Sequence, residues 1–236
     1  MIEVCDLTLR YPGVRVLDVP HLVVPDGSLT YLLGLNGTGK STLLRCVSGI
    51  IAPATGTVTV DGTPVIAHRT VASTLGLHLD FRAFDPRHTA RRHLRWIARA
   101  RGLPIDRVGE ALDAVDLTAD AGRRLEGYSL GMLQRVGIAA ALLSRPRTLL
   151  LDEPLNGLDI AGIRWMRGLL RELADAGTCV VVSTHLLDEV ERNADRVVVL
   201  GGGRVLADHS LADLKGGLMP GESTVEDAYL RIAGLS

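Results

Sequence analysis

The chain has 236 residues and a mass of 25.2 kDa, enough for one substantial hydrophobic core or for two small ones that share a face. Its 26 basic and 27 acidic residues nearly balance, which argues against a chain held mainly by nucleic acid or by an anionic membrane surface. Hydrophobic residues make up 47%, which excludes disorder, and only 3% are aromatic, which leaves little material for stacking on bases.

Short strands are predicted for the first third of the chain. Apolar and polar residues partly alternate over residues 2–9, and the apolar run of residues 28–33 ends at a glycine-rich turn. Residues 57–60 also alternate and are followed by Asp61-Gly62, a combination that is typical of a β-hairpin.

Helices are predicted next, from about Asp85 to Ser144. Over residues 90–99 the apolar side chains fall on one face of a helix. Gly102-Leu103-Pro104 ends this helix, and another is expected to begin within residues 105–115. The polar face of the first helix carries four arginines: Arg91, Arg92, Arg95 and Arg99.

Strands and helices alternate again after Pro146. Residues 148–151 and 179–182 are continuous apolar runs, as expected for strands buried on both faces of a parallel sheet. Residues 160–176 between them predict a crossover helix, and residues 195–200 predict another strand. We therefore expect an α/β fold whose sheet is mostly parallel. We expect a single domain, 1–236. Residues 1–84 and 145–236 form its α/β core, which includes an N-terminal antiparallel β subdomain, and residues 85–144 form a helical subdomain.

Composition also bears on location. No stretch approaches the roughly 20 apolar residues of a membrane-spanning helix, and the first residues lack the basic and apolar regions of a secretory signal. Cys5, Cys46 and Cys179 are widely spaced within apolar patterns, which favours free, buried thiols. We therefore expect a cytoplasmic chain.

Residues 34–42, Gly-Leu-Asn-Gly-Thr-Gly-Lys-Ser-Thr, match the P-loop pattern and stand between a predicted strand and a predicted helix. Its glycines let backbone N–H groups surround phosphate oxygens, and the helix N-terminus adds its dipole. Lys40, one of only two lysines in the chain, is expected to reach the β- and γ-phosphates, and the Ser41 hydroxyl to bind Mg²⁺. A glycine-rich turn with a surface lysine is the alternative, but chance rarely fixes so many positions. The predicted nucleotide ligands are Gly34, Asn36, Gly37, Gly39, Lys40, Ser41 and Thr42.

Asp152 and Glu153 follow the predicted strand 148–151 directly. Such paired acids are often solvated strand ends, but a P-loop in the same chain favours a functional pair. Asp152 is then expected to hold Mg²⁺ through water, and Glu153 to accept a proton from the attacking water. These residues predict a P-loop nucleoside triphosphatase core.

The motifs and their order resemble the ATP-binding subunits of ABC transporters over essentially the whole chain. Tyr11 matches the family's aromatic that stacks on adenine, and residues 128–135, Tyr-Ser-Leu-Gly-Met-Leu-Gln-Arg, resemble its signature segment at the start of a helix. Residues 156–159, Asn-Gly-Leu-Asp, resemble its D-loop, and His185 resembles its switch histidine.

This resemblance implies a head-to-tail dimer in which each ATP lies between one copy's P-loop and the other copy's signature. Ser129 and Gly131 are then expected to bind the γ-phosphate across the interface, and Asp159 of the D-loop to contribute to the same site. His185 is expected to orient the water together with Glu153. The implied ligands are ATP and Mg²⁺, and the implied partners are a second copy or a paired ATPase subunit and a separate transmembrane permease.

Two positions depart from the family pattern. Where the family usually has a glutamine that contacts Mg²⁺, the aligned residue is Asp80, and we hypothesise that it keeps a metal or water contact. In the signature, Leu130 and Met132 replace a glycine and a glutamine, whereas Ser129 and Gly131 remain. This variant resembles a branch associated with the export of antibiotics, drugs or peptides.

The leading prediction is an ATPase subunit on the cytoplasmic face of the cell membrane that drives such export. A soluble ABC-type ATPase acting on nucleic acid, ribosomes or cluster assembly is the alternative, although no coiled coil or fused second unit is visible. Glu153 and His185 argue against a non-hydrolysing regulator, and a small-molecule kinase does not explain the signature. The arginines within 87–101 lack interleaved aromatics apart from Trp96, so we expect a solvated face that meets the membrane partner or lipid head groups and no nucleic acid.

Overall fold

The computed structural model describes residues 1–65, 74–79 and 84–235, and within them the chain builds two β-sheets surrounded by helices. The strands are β1 (Ile2–Tyr11), β2 (Val14–Val24), β3 (Leu29–Leu33), β4 (Thr55–Val60), β5 (Thr63–Pro64), β6 (Leu75–His78), β7 (Thr148–Asp152), β8 (Cys179–Thr184), β9 (Arg196–Gly201) and β10 (Arg204–Ser210). The helices are α1 (Lys40–Val47), α2 (Ala90–Ala100), α3 (Arg107–Ala114), α4 (Leu130–Leu142), α5 (Ile160–Asp175), α6 (Leu187–Asn193), α7 (Leu211–Gly216) and α8 (Val225–Ala233).

The larger sheet has the strand order β10-β9-β3-β8-β7-β6, in which β10 pairs antiparallel with β9 and the other pairs are parallel. Alternate residues of its strands are buried on opposite faces: Leu150 and Val181 pack towards β1, β2 and α1, whereas Leu149 and Val182 pack towards the helices α2 to α5. Burial on both faces explains the continuous apolar runs of β7 and β8 and confirms the predicted α/β core.

The smaller sheet is antiparallel, with the strand order β2-β1-β4-β5. The predicted hairpin is confirmed, because Val60 pairs with Thr63 across Asp61 and Gly62, both of which have positive φ (52° and 72°). The hairpin of β1 and β2 turns between Tyr11 and Val14. This sheet packs onto the larger one through a shared core, and Val16 and Leu17 of β2 lie against Gly39 in the loop that follows β3.

The helices α2, α3 and α4 lie between β6 and β7 in the chain. In α2 the apolar residues Leu94 and Ala98 are buried and Arg95 and Arg99 are exposed, as the periodicity predicts. The next helix begins at Arg107, within the predicted range 105–115, and is capped by the Asp106 carboxylate. The boundaries of the helical subdomain stay a prediction. Among the described residues, no helix has the length and apolar character needed to cross a bilayer.

Two of the three thiols lie where the sequence predicts. Cys46 and Cys179 are buried, and burial raises the pKa of the Cys46 thiol to about 11 and that of Cys179 to about 12. Cys5 is instead only half-buried, because it lies on the face of β1 that does not enter the shared core. All three are free.

Candidate nucleotide site

The loop from β3 into α1 has a shape that only glycines permit. Gly39 has φ 103° and Gly37 has φ 82°, both in the left-handed region. A Cβ on Gly34 would lie 2.5 Å from the carbonyl oxygen of Leu200, and one on Gly39 would lie 2.9 Å from a methyl carbon of Leu17. The predicted ligands Asn36 and Gly37 are exposed on this loop, and Ser41 and Thr42 are half-buried in the first turn of α1.

Lys40 lies beneath the loop and is only 6% exposed. Its ammonium group donates hydrogen bonds to the carbonyl oxygens of Gly34 (2.7 Å) and Leu35 (3.2 Å) and is 3.7 Å from Oε1 of Glu153. These contacts keep one buried positive charge at the centre of the loop, where its phosphate-binding N–H groups would gather anionic oxygens.

Glu153 lies one residue beyond the end of β7 in the left-handed region, with φ 49°. A non-glycine residue rarely adopts this backbone, and such strain concentrates at functional sites. The turn directs its carboxylate between two predicted catalytic groups, because Oε1 faces Lys40 and Oε2 accepts a hydrogen bond from Nδ1 of His185 at 2.9 Å. The structure thus brings Lys40, Glu153 and His185 together.

Ser183 is a residue that the sequence reasoning missed. Its buried hydroxyl donates to Oδ1 of Asp152 and accepts from the backbone N–H of Glu153 at 2.9 Å. It can do both because β8 pairs Ser183 directly with Asp152 in the parallel ladder. The available signal was a small hydroxyl residue at the end of an apolar strand, two positions before His185.

Asp152 and Ser41 form a donor set that fits Mg²⁺. This ion commonly binds one or two protein oxygens and completes its shell with phosphate oxygens and water. No group of three or more His, Cys, Asp or Glu side chains in the described part of the chain could hold a metal by itself. Asp80, the third predicted metal ligand, lies outside the described residues.

The predicted signature residues lie at the start of α4, away from the loop. The Ser129 hydroxyl caps this helix by accepting the N–H of Met132 at 3.2 Å, and Gly131 lies in its first turn. A cleft of about 440 Å³ opens there, and Asp159, whose carboxylate caps α5 through the N–H of Gly162 (2.7 Å), lines it too. No residue of the loop 34–42 is among the described residues that line this cleft.

Tyr11 lies at the tip of the β1–β2 hairpin and is 49% exposed. The hairpin continues into Val16 and Leu17, which contact the position of Gly39 in the loop. An exposed aromatic ring at this tip is available to cover a base whose phosphates lie on the loop.

A P-loop and a buried strand end that carries Asp152 and Glu153 define a P-loop nucleoside triphosphatase. Comparison with known families makes this more specific, because the family model for "ABC transporter" matches residues 17–156. The chain belongs to the ABC transporter family, as one of its ATP-binding and ATP-hydrolysing cassettes. Two solved relatives assemble further: MJ0796, a bacterial ABC transporter cassette, has a dimeric structure, and cbiO1 of Clostridium perfringens is part of the ABC transporter complex cbiONQ.

Several curated relatives are more than a third identical to this chain over the aligned residues. An uncharacterised ABC transporter ATP-binding protein of Bacillus subtilis, YdbJ, is 39% identical over 84% of the chain, which spans 65% of that relative's length. The bacitracin transport protein BcrA of Enterococcus faecalis is 36% identical (91% of this chain, 70% of BcrA). The phosphonates import protein PhnC 3 of a Nostoc species is 35% identical (91% and 88%).

Solved structures agree with the fold. An ATP-binding subunit of an ABC transporter superimposes with a TM-score of 0.85 at 29% identity, covering 98% of this chain and 99% of that one. A dimeric, post-hydrolysis cassette, MJ0796 with bound ADP and phosphate, gives a TM-score of 0.80 at 25% identity (89% and 99%).

Proposed function

We propose that this chain is the ATPase subunit of a transporter and that two copies, or this chain and a paired cassette, close head to tail on ATP. One observation supports this most directly: Lys40, Glu153 and His185 converge at the loop, whereas Ser129 and Gly131 open on a separate cleft of the same chain. Two-fold pairing would bring one copy's loop against the other copy's signature.

The residues of this chain would have separate roles in ATP hydrolysis. Lys40 would exchange its carbonyl contacts for phosphate oxygens and hold the transferred group. Glu153 would accept the proton of the attacking water, and His185, fixed through Nδ1 by the Glu153 carboxylate, would face the γ-phosphate with its other nitrogen. Mg²⁺, when bound at Ser41 and Asp152, would neutralise charge on the phosphates.

Tyr11 would cover the adenine, and Asp80 remains the proposed replacement for the family's glutamine. The remaining proposed nucleotide contacts are Gly34, Asn36, Gly37, Gly39, Thr42 and, from the second copy, Ser129, Gly131 and Asp159.

For cargo we propose export of a drug, antibiotic or peptide. The variant signature, Ser-Leu-Gly-Met, supports this branch, and BcrA is a relative whose name states bacitracin transport. The name of PhnC 3 states import, so direction needs its own test. Inside-out vesicles that carry the complete transporter and accumulate drug with ATP would support export; uptake only into right-side-out vesicles would contradict it.

The dimer can be trapped. In a Glu153→Gln protein the loop still binds ATP but the base is missing, so we expect turnover to fall on the order of a thousandfold and a closed dimer to persist with MgATP. Size-exclusion chromatography with light scattering measures this. A Glu153→Gln protein that binds ATP yet stays monomeric at all concentrations tested would contradict the proposed geometry.

The exposed face of α2 is the proposed contact with the membrane subunit. Arg91, Arg92, Arg95 and Arg99 have no ionic partner among the described residues, and they line a shallow cleft of about 480 Å³ beside Trp96, which is 63% exposed. Two of them occupy the first turn of α2, where positive charge opposes the helix dipole. Other arginines, by contrast, are paired, such as Arg123 with Asp120.

This contact predicts a separation of activities. Arg92→Glu/Arg95→Glu should leave the ATPase rate of the purified cassette within about twofold, because surface charges far from a site act weakly, while the variant no longer co-purifies with its membrane subunit. Arg123→Glu/Arg124→Glu, on the same helical region, is the control. Normal co-purification of the α2 variant would show that another surface docks the partner.

A further inference from the structure

A buried polar side chain connects three elements of the described chain. Gln134 of α4 is 2% exposed, and its Oε1 lies 2.6 Å from Nε2 of His78, the last residue of β6. Because the amide oxygen can only accept, the imidazole Nε2–H is the donor. The amide nitrogen of Gln134 donates to the backbone carbonyl of Asn156 at 3.3 Å. We name this chain of contacts, His78–Gln134–Asn156, the β6–α4 bridge.

The imidazole is seated in a notch of α4. A Cβ on Gly137 would lie 2.3 Å from Cε1 and 2.4 Å from Nδ1 of His78, so only glycine leaves room for the ring at this place. Glycine weakens the interior of a helix, and the notch provides a reason for its presence. His78 itself is 4% exposed. The end of β6 is therefore held against α4 by both shape and hydrogen bonding.

The start of α4 is joined equally closely to residues 156–159. A Cβ on Gly157, where φ is +77°, would lie 2.0 Å from Cδ2 of Leu130, so the leucine covers the glycine backbone. A Cβ on Gly131 would lie 3.3 Å from Cδ2 of Leu158. The variant leucine of the signature segment thus packs on the loop that follows Glu153, and these two segments form one packed unit.

We infer that the β6–α4 bridge positions this unit. His78 is followed by the segment that contains Asp80, and the unit carries Ser129, Gly131 and Asp159. A displacement at the end of β6 would pass through Gln134 to the start of α4 and to residues 156–159 together. His78 and Gln134 are positioning residues in this arrangement. The inference rests on the proposed dimer, since only there does the unit meet a nucleotide.

The bridge can be removed in a way that separates position from stability. Gln134→Leu and His78→Leu each remove one side of the hydrogen bond between the two side chains, whereas the double variant replaces both sides by apolar groups of similar size. We expect the melting temperature to fall in each single variant and to recover in part in the double variant, in which the Asn156 carbonyl still lacks the Gln134 donor. Ile138→Val, at a fully buried position of the same helix, is a control for loss of packing.

Activity should not follow the melting temperature. The loop is untouched, so the affinity of the isolated cassette for MgATP should stay unchanged in every variant. We expect kcat to fall about three- to tenfold, the effect of losing about one net hydrogen bond, in both single variants and to stay low in the double variant. When the same substitutions are made in the Glu153→Gln protein, they should weaken ATP-dependent dimer formation by a similar factor. Ile138→Val should leave both kcat and dimer formation unchanged.

The outcomes separate the two proposals. If the double variant recovers kcat together with its melting temperature, the bridge is only structural and the inference is overturned. Singles with unchanged kcat would overturn it as well. If the Glu153→Gln protein alone fails to dimerise on ATP, the proposed dimer fails and the inference fails with it, whereas normal dimerisation of that protein together with unchanged kcat in the single variants overturns the inference alone.

Discussion

The N-termini of α1 and α4 are both proposed to face phosphate, yet they are built differently. Helix α1 follows Gly39, and no side chain accepts its first N–H groups. Helix α4 follows Ser129, whose hydroxyl already accepts the N–H of Met132. Helix α5, whose first turn lines the cleft at the start of α4, is likewise capped by the side chain of Asp159.

This difference predicts unequal affinity for phosphate at the two halves of the site: we call the loop 34–42 with α1 the strong half and the start of α4 the weak half. A helix end without a side-chain cap keeps its donors for a ligand, and α1 adds the buried charge of Lys40. A capped end has fewer donors to offer, and α4 brings no cation in its first turn. The loop should therefore bind ATP by itself, whereas the start of α4 should add a weaker contact that matters only when the dimer closes.

Lys40→Ala gives the largest expected effect on this contrast. Loss of charge-assisted hydrogen bonds should weaken MgATP binding about 10- to 100-fold, and turnover should become undetectable. Isothermal titration and phosphate release measure the two quantities. The chain offers one natural control, because Lys215 is its only other lysine and is a surface residue paired with Glu191 at 3.3 Å. If Lys40→Ala left the affinity for MgATP unchanged, the loop would not be the stronger phosphate-binding half of the site.

The backbone conformation of the strong half follows from local sequence, whereas the contacts of the weak half do not, for a physical reason. Loop 34–42 and the pair Asp152-Glu153 are contiguous in sequence, and their conformations follow from local rules for glycine and strand ends. The contacts of Gln134 with His78 and of Leu130 with Gly157 join residues that are distant in the chain. Nothing local to Leu130 says that a glycine lies beneath it, so only the packed structure could show why this signature variant fits.

Ser183 illustrates the same limit within the strong half. Its hydroxyl orders Asp152 and Glu153 only because the register of β7 and β8 places Ser183 opposite Asp152. Register between parallel strands depends on the whole sheet and cannot be derived from one strand's pattern.

Gly157→Ala gives the next largest effect and probes the packed unit directly. The new Cβ would meet Leu130 and carry the strain of φ +77°, so we expect a loss of about 1–3 kcal/mol in the free energy of unfolding. Gly177→Ala is a matched control, because its φ is +96° and no atom lies within 4 Å of the added Cβ. Chemical denaturation measures both changes.

The two glycine variants should also differ in function. MgATP affinity of the isolated cassette should be unchanged in both, since neither touches the loop. Only Gly157→Ala should lower ATP-dependent dimer formation in the Glu153→Gln protein, because only it shifts the start of α4. Equal dimer formation by the two variants would mean that the packing of Leu130 on Gly157 does not affect dimer formation. Nucleotide binding by the weak half would then not depend on this contact.

Ser129→Ala gives the smallest effect and separates a helix cap from a ligand contact. Loss of the cap should cost about 1 kcal/mol of stability. Ser210 caps α7 in the same manner by accepting the N–H of Asp213 at 3.0 Å, so Ser210→Ala should cost a similar amount. If Ser129 also contacts phosphate in the closed dimer, only Ser129→Ala will weaken dimer formation on ATP. Dimer constants that change equally in the two variants would reduce Ser129 to a cap, and phosphate binding at the start of α4 would then depend on its backbone N–H groups alone.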